Sequence, residues 1–439
     1  MTVEWGASLG LLIGLLLVLM AFGLPIAFAF FTVNLVGAVV FLGGEAGIEQ
    51  AIRNAQASVT QYALAPIPLF VLMGELLFRT GLAARAIDAV ERLMARVPGR
   101  LSLVAIAGGT VFSALTGSTI ANTAVLGSTL LPEMYRRGYQ PQIAIGPIMA
   151  VGGLAMLIPP SGLGVLLGSL AKVSINKVLI GGIIPGLLLG FAFFAYVVIR
   201  CSLQPDIAPS YPVERIRGWQ RIRPFVVHVV PLFSIFIVVV GSMLAGIATP
   251  TESAALGVVA VLIVALAYRR LTLSALMESV DATFRLSCML LFVAAASLTF
   301  SQVLAFSGGA SGLAGVVTGW GLTPTMVVLC MVGLLLVLGC FMDPVSMMMI
   351  TLPLFLPIIQ SSGVDPVWFS ILMLLALEIS LITPPFGMLL FVMQGVAPSG
   401  TTLRQIYSSV TPFFLLEIFV LGMVVLIPGL ATWLPSLGS

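Results

Sequence analysis

Apolar runs near the twenty residues that cross a hydrocarbon core follow one another along the whole chain, separated by short polar loops. Lipid offers no partner to a bare peptide group, so the pattern predicts an all-α polytopic membrane protein with no soluble domain in its loops. One run departs from the plain apolar pattern. The segment SALTGSTIANTAVLGSTLLPEMYRR, Ser113 to Arg137, places Thr116, Ser118, Thr119, Asn122 and Thr123 at its middle. Arg85, Arg92, Arg96 and Arg100 precede it and Arg136 and Arg137 follow it, which puts both ends in the cytoplasm by the positive-inside rule. About thirty residues are too few for two full helical crossings, so residues 101–131 are expected to form a re-entrant hairpin whose tip stops near mid-membrane. Irregular backbone at that depth is tolerated where it lines a protein cavity, and hydroxyl and amide side chains are useful there.

The next run, 143–170, contains Ile158-Pro-Pro-Ser-Gly162; two prolines remove backbone donors, and the helix is expected to break half-way across. Lys172 and Lys177 then fall on the periplasmic side, and Val178 to Ile199 returns to a proline- and arginine-rich linker at 201–223. An offset of 225 residues superimposes Pro25 on Pro250, Pro132 on Pro357, Pro141 on Pro366, Pro159 on Pro384 and Pro160 on Pro385, with Gly138 on Gly363 and Gly162 on Gly387. The same offset sets Ser118 against Asp343. The chain therefore reads as two repeats, 1–200 and 224–439, the second with a hairpin at 323–359 and a broken helix at 366–396. No lysine or arginine flanks the second hairpin, so it is expected to enter from the periplasm. An odd number of crossings per repeat inverts the copies, the plan of many secondary transporters with sites at the repeat interface. Amphipathic stretches at 82–97 and 271–285 are expected to lie in the interface as arms linking a scaffold to a moving part.

Broken helices free backbone dipoles that can hold a cation, and sodium suits such a site. Around the first hairpin the candidate cation ligands are Ser118 and Asn122, with Gly117, Gly153, Pro159 and Ser161 nearby; around the second they are Asp343, Ser346, Glu378 and Thr383, with Pro384 and Gly387 marking the break. A substrate anion is expected to use Ser118, Thr119, Asn122, Ser161, Ser346 and Thr383 together with helix N-termini, because neither tip holds a lysine or arginine. Elsewhere Glu75 and Arg79 are spaced to pair along one helix, Glu252 to cap a helix start after Thr249, and Glu417 is expected at an interfacial or subunit contact.

Composition narrows the class without changing the plan. With 60% hydrophobic and 8% charged residues and a mean hydropathy of +1.18, the chain cannot clothe a soluble surface. Its nineteen basic residues sit in loop clusters that set topology, so the net charge of +3 does not indicate nucleic acid. The first basic residue is Arg53, so the first apolar run is expected to stay as a helix. Four cysteines lack zinc-ligand or disulfide spacing, and His228 is expected at an interface after the arginine-rich loop.

Taken together, GLPIAFA at Gly23, PLFVLMGELLFRTGL at Pro68, the Ser113 hairpin segment, IPPSG at Ile158, PTESAALG at Pro250, MDPVSMMMITLPLFLPI at Met342 and TPPFGMLLFV at Thr383 resemble the large membrane subunit of tripartite ATP-independent periplasmic (TRAP) transporters. The resemblance spans nearly all the chain. It implies a multi-pass protein of the bacterial inner membrane that works as an elevator-type, sodium-coupled importer of a small organic anion. A soluble periplasmic binding protein would deliver the substrate, and a small four-helix membrane subunit, expected as a separate polypeptide, would support the scaffold. It carries sodium-ligand roles to Ser118, Asn122, Asp343 and Thr383. A stand-alone sodium-coupled anion symporter of related architecture is the alternative. An ATPase is not indicated, since no phosphate-binding loop motif is present, and neither is an enzyme, since no Ser-His-acid set or His-rich cluster occurs.

Overall fold

A computed structural model describes residues 4–82, 85–86, 89–90, 97, 99–116, 119–209, 219–385 and 387–437. Among them every regular element is a helix. Gly117, Ser118, most of the 82–97 stretch and the centre of the 201–223 linker lie outside the described residues.

Two helical bodies lie side by side. The first is built from Trp5–Ala21, Ile26–Phe41, Glu45–Val59 and Pro66–Arg79 together with Val230–Leu244, Pro250–Ala267 and the 34-residue helix Leu273–Phe306. The repeats interlock here, because Leu273–Phe306 packs on Ile26–Phe41 and Pro66–Arg79, which also packs on Pro250–Ala267. Buried Asn34 donates to the Ala296 carbonyl at 2.8 Å, and the rings of Phe30 and Phe300 meet edge to face at 5.0 Å. The Glu75–Arg79 pair forms at 3.0 Å, and Arg79 also reaches Glu278 of the other repeat at 2.7 Å. Thr249 and Glu252 form a reciprocal capping box at the start of Pro250–Ala267. Thr249→Ala should cost about 1 kcal/mol of helix stability, read as a lower thermal midpoint in detergent; an unchanged midpoint would show the box to be dispensable.

The amphipathic stretch 271–285, expected as an interfacial arm, is the first half of Leu273–Phe306 rather than a separate helix. Its counterpart at the 225-residue offset is Glu45–Val59, not 82–97. Glu45–Val59 carries fewer charged residues than the arginine-rich stretch. That is why the repeat offset, rather than the charge pattern, identifies it.

The second body carries both hairpins. The arms of the first are Arg100–Thr116 and Thr119–Arg136, and those of the second are Pro324–Gly339 and Pro344–Ser361. Each arm has 16 to 18 residues, about 24–27 Å of helix, so the first hairpin is longer than its predicted range. The extra turns carry Arg100 at one end and the Glu133, Arg136 and Arg137 ion-pair cluster at the other, groups that belong beyond the hydrocarbon. The broken helices run Pro141–Gly153 then Gly162–Leu170, and Pro366–Ile382 then Met388–Val396. Both Pro-Pro bonds between these halves are cis.

Their first halves are the centre of this body: every residue from Ile143 to Gly153 and from Trp368 to Ile382 is buried. The first hairpin and Leu403–Leu426 enclose Pro141–Gly153, and Pro324–Gly339 packs on Pro366–Ile382. Close packing needs small residues at the crossing points, where association is driven by shape rather than by the hydrophobic effect. Gly146 lets the Phe413 ring and the Ser409 carbonyl sit where a side chain would otherwise stand.

Candidate functional site

Four helices begin at one place. Thr119 opens the second arm of the first hairpin, Gly162 the second half of the first broken helix, Pro344 the second arm of the other hairpin, and Met388 the second half of the other broken helix. All four residues line one cavity of about 270 Å³. The pairs Thr119 and Pro344, Gly162 and Gly387, and Leu163 and Met388 are related by the repeat offset, and all but Gly387 line the cavity. The sequence folds this way because Pro344 has no amide hydrogen to lose at a helix start and the Pro-Pro pairs forbid a continuous helix just before Gly162 and Met388.

Each helix start brings the positive end of its dipole to the cavity. Two starts are already capped by side chains. Ser161 accepts from the Gly164 amide at 3.0 Å while donating to the Met156 carbonyl at 2.7 Å. Asp343 accepts from the Ser346 amide at 3.0 Å and from the Ser346 hydroxyl. Thr119, Ser161 and Asp343 supply the polar side chains of the described wall, and no lysine or arginine belongs to it. The wall supplied by the first body is apolar, formed by Phe70, Val71, Leu286, Met289 and Leu290. The arrangement offers converging amides for an anion, one carboxylate for a cation, and a smooth hydrocarbon surface between the two bodies.

The sequence candidates divide by position. Thr119, Ser161 and Asp343 line the cavity. Asn122 lies behind the first tip, fully buried; its amide donates to the Ser113 hydroxyl and to the Gly109 and Val151 carbonyls at 3.3 Å each, while its Oδ1 has no hydrogen-bond partner. Ser346 serves the Asp343 cap, and Thr383 donates to the Ile379 carbonyl at 2.7 Å; neither lines the cavity. Pro159 forms the bend beside Ser161. Gly153 and Glu378 meet each other: a Cβ on Gly153 would stand 2.6 Å from Glu378 Oε1. Gly117 and Ser118 lie outside the described residues.

Glu417 corrects an expectation. It is buried at 1% exposure, not interfacial, and lies within electrostatic reach of Glu378. The cavity wall from Leu286 to Leu290 was also not foreseen, because nothing in an apolar helix marks which face meets a hairpin.

The sequence matches the family described as tripartite ATP-independent periplasmic transporter, DctM component, over residues 13–430. The chain belongs to the DctM family. It is therefore an integral, multi-pass protein of the bacterial inner membrane and a large permease of the TRAP class, which works with a periplasmic binding protein. Among DctM relatives, the C4-dicarboxylate TRAP transporter large permease of Pseudomonas aeruginosa is 33% identical, covering 85% of this chain and 86% of its own. The isethionate TRAP permease DctMQ of Oleidesulfovibrio alaskensis is 30% identical over 96% of this chain, which spans 65% of that longer protein. The ectoine permease TeaC of Halomonas elongata is 28% identical, with 97% of each chain covered. In fold, the DctM chain is similar to the Alcanivorax borkumensis YdaH transporter, with a TM-score of 0.66 at 14% identity, covering 94% of this chain and 99% of that one.

Proposed function

We propose that this DctM chain imports a small organic acid by sodium-coupled symport, with the hairpin body moving as an elevator against the first body. The observation that carries the reading is the meeting of both hairpin tips and both helix breaks at one cavity. A site built from two inverted repeats is offered equally to either side of the membrane when one body shifts against the other. Helix N-termini would hold the carboxylate, and Asp343 with the first-hairpin oxygens of Ser118 and Asn122 would hold sodium, so that neither charge enters the hydrocarbon alone. The apolar wall of Leu286, Met289 and Leu290 presents nothing that must be unpaired for sliding. A small four-helix subunit encoded separately and a periplasmic binding protein complete the transporter in this reading, and the binding protein makes the first selection of substrate.

Reconstitution with the small subunit and the binding protein tests it. Uptake of the binding protein's ligand should need an inward sodium gradient and should stop when the binding protein is omitted. Sodium-driven uptake without the binding protein would assign the chain to a stand-alone symporter. Uptake indifferent to sodium would remove the coupling.

A further inference from the structure

Beyond the apolar wall, a hydrogen bond ties the two bodies together. The long first-body helix Leu273–Phe306 packs on Pro344–Ser361, the second arm of the second hairpin, and there the Ser297 hydroxyl donates to the Met349 carbonyl at 3.1 Å. Both residues are buried. Within its own helix the Met349 carbonyl would accept from the amide four residues on, but that residue is Pro353, which has no N–H. Ser297 supplies the donor that proline withholds, in a place shut off from water. The same exchange occurs inside the hairpin body. Ser102 donates to the Ile143 carbonyl at 2.5 Å, four residues before Pro147, and the Trp368 indole donates to the Val424 carbonyl at 2.8 Å, four residues before Pro428. Those bonds join parts of one body, whereas the Ser297 bond joins two. Another bond between the bodies runs from Asn176, on the short helix Ile175–Gly181, to the Met243 carbonyl at 3.3 Å. It is replaceable, since the Gly246 amide also serves that carbonyl at 3.2 Å.

We infer that Ser297 and Met349 form a latch that holds the hairpin body in the arrangement seen here and sets how readily it departs. The inference rests on the elevator reading above and adds to it a contact that has to break. Leu290 and Leu304 stand seven residues to either side of Ser297, two helical turns, and so share its face of the helix. Neither side chain can donate. A slide of that size, about 11 Å, leaves the Met349 carbonyl with neither the serine nor the amide that Pro353 lacks. Pro353 makes the latch conditional: a carbonyl already bonded within its helix would pass a leucine without penalty, but this one finds its donor where Ser297 stands.

Spin-label distances in the purified full chain, held in nanodiscs, test the latch. Labels at Ile247→Cys on the first body and Gln360→Cys on the hairpin body, both exposed positions, report displacement in a background with the native cysteines replaced. Ser297→Ala should raise the ratio of displaced to present arrangement about tenfold, the worth of one buried hydrogen bond. Pro353→Ala returns an amide to the Met349 carbonyl, so it should raise the ratio by a similar factor, and adding Ser297→Ala should then change it less than about twofold. An unchanged ratio in Ser297→Ala would overturn the latch. So would an undiminished effect of Ser297→Ala in the Pro353→Ala background, which would make Ser297 a packing residue. Two distances whose ratio ignores both substitutions would remove the latch and leave the elevator; a single unshifted distance in every variant, with and without sodium, would remove both.

Discussion

Asn122→Ala should lower sodium-driven uptake by at least about tenfold at limiting sodium while leaving expression and binding-protein docking close to normal. Asn122 is fully buried, and its amide ties the Ser113 hydroxyl, Gly109 and Val151 together, joining both arms of the first hairpin to the first broken helix. Its Oδ1 has no partner in the protein, which leaves an oxygen for an ion. Truncation removes that oxygen and leaves the Val151 carbonyl with the Ser113 hydroxyl alone. A lost buried hydrogen bond of this kind costs about 1–3 kcal/mol, and each 1.4 kcal/mol is about tenfold in an equilibrium constant. The effect should appear as a rise in the sodium concentration needed for half-maximal uptake. Unchanged sodium dependence would exclude Asn122 from the ion site.

Asp343→Ala should abolish uptake, and Asp343→Asn should separate the two reasons why. Asp343 is the N-cap of Pro344–Ser361, bonded to the Ser346 amide at 3.0 Å, and it is also the charged group of the cavity wall. Alanine removes cap and charge; the lost cap costs about 0.5–2 kcal/mol. Asparagine caps nearly as well as aspartate but carries no charge. The asparagine variant should therefore keep its thermal midpoint within a degree or two while losing sodium-driven uptake as fully as alanine does. Full uptake in the asparagine variant would make Asp343 a structural cap and move the ion elsewhere.

Much of the fold could be read from proline placement. The 225-residue offset that aligns the Pro-Pro pairs correctly places both helix breaks, and the polar residues at Thr119, Ser161 and Asp343 come to one cavity as expected from their positions at helix starts. Those signals are local: a proline pair or an N-cap acts on its own few residues. What the sequence concealed is tertiary. Glu417 reads as one charge in an apolar helix, and only the packing of Leu403–Leu426 against Pro141–Gly153 and Pro366–Ile382 buries it within electrostatic reach of Glu378. Leu286, Met289 and Leu290 sit in a helix apolar on most sides, where periodicity cannot say which side meets a hairpin and which meets lipid.

The central claim is that the hairpins enter from opposite faces of the membrane and stop where they meet. Labelling by a membrane-impermeant thiol reagent tests it most directly, in a background with Cys201, Cys288, Cys330 and Cys340 replaced. Single cysteines introduced by Val97→Cys and Arg136→Cys flank the first hairpin, and Thr323→Cys and Gln360→Cys flank the second. Both first-hairpin positions should label only from the cytoplasmic side, and both second-hairpin positions only from the periplasmic side. A hairpin whose two flanks label from opposite sides would cross the membrane, and the shared cavity could not then be an alternating site.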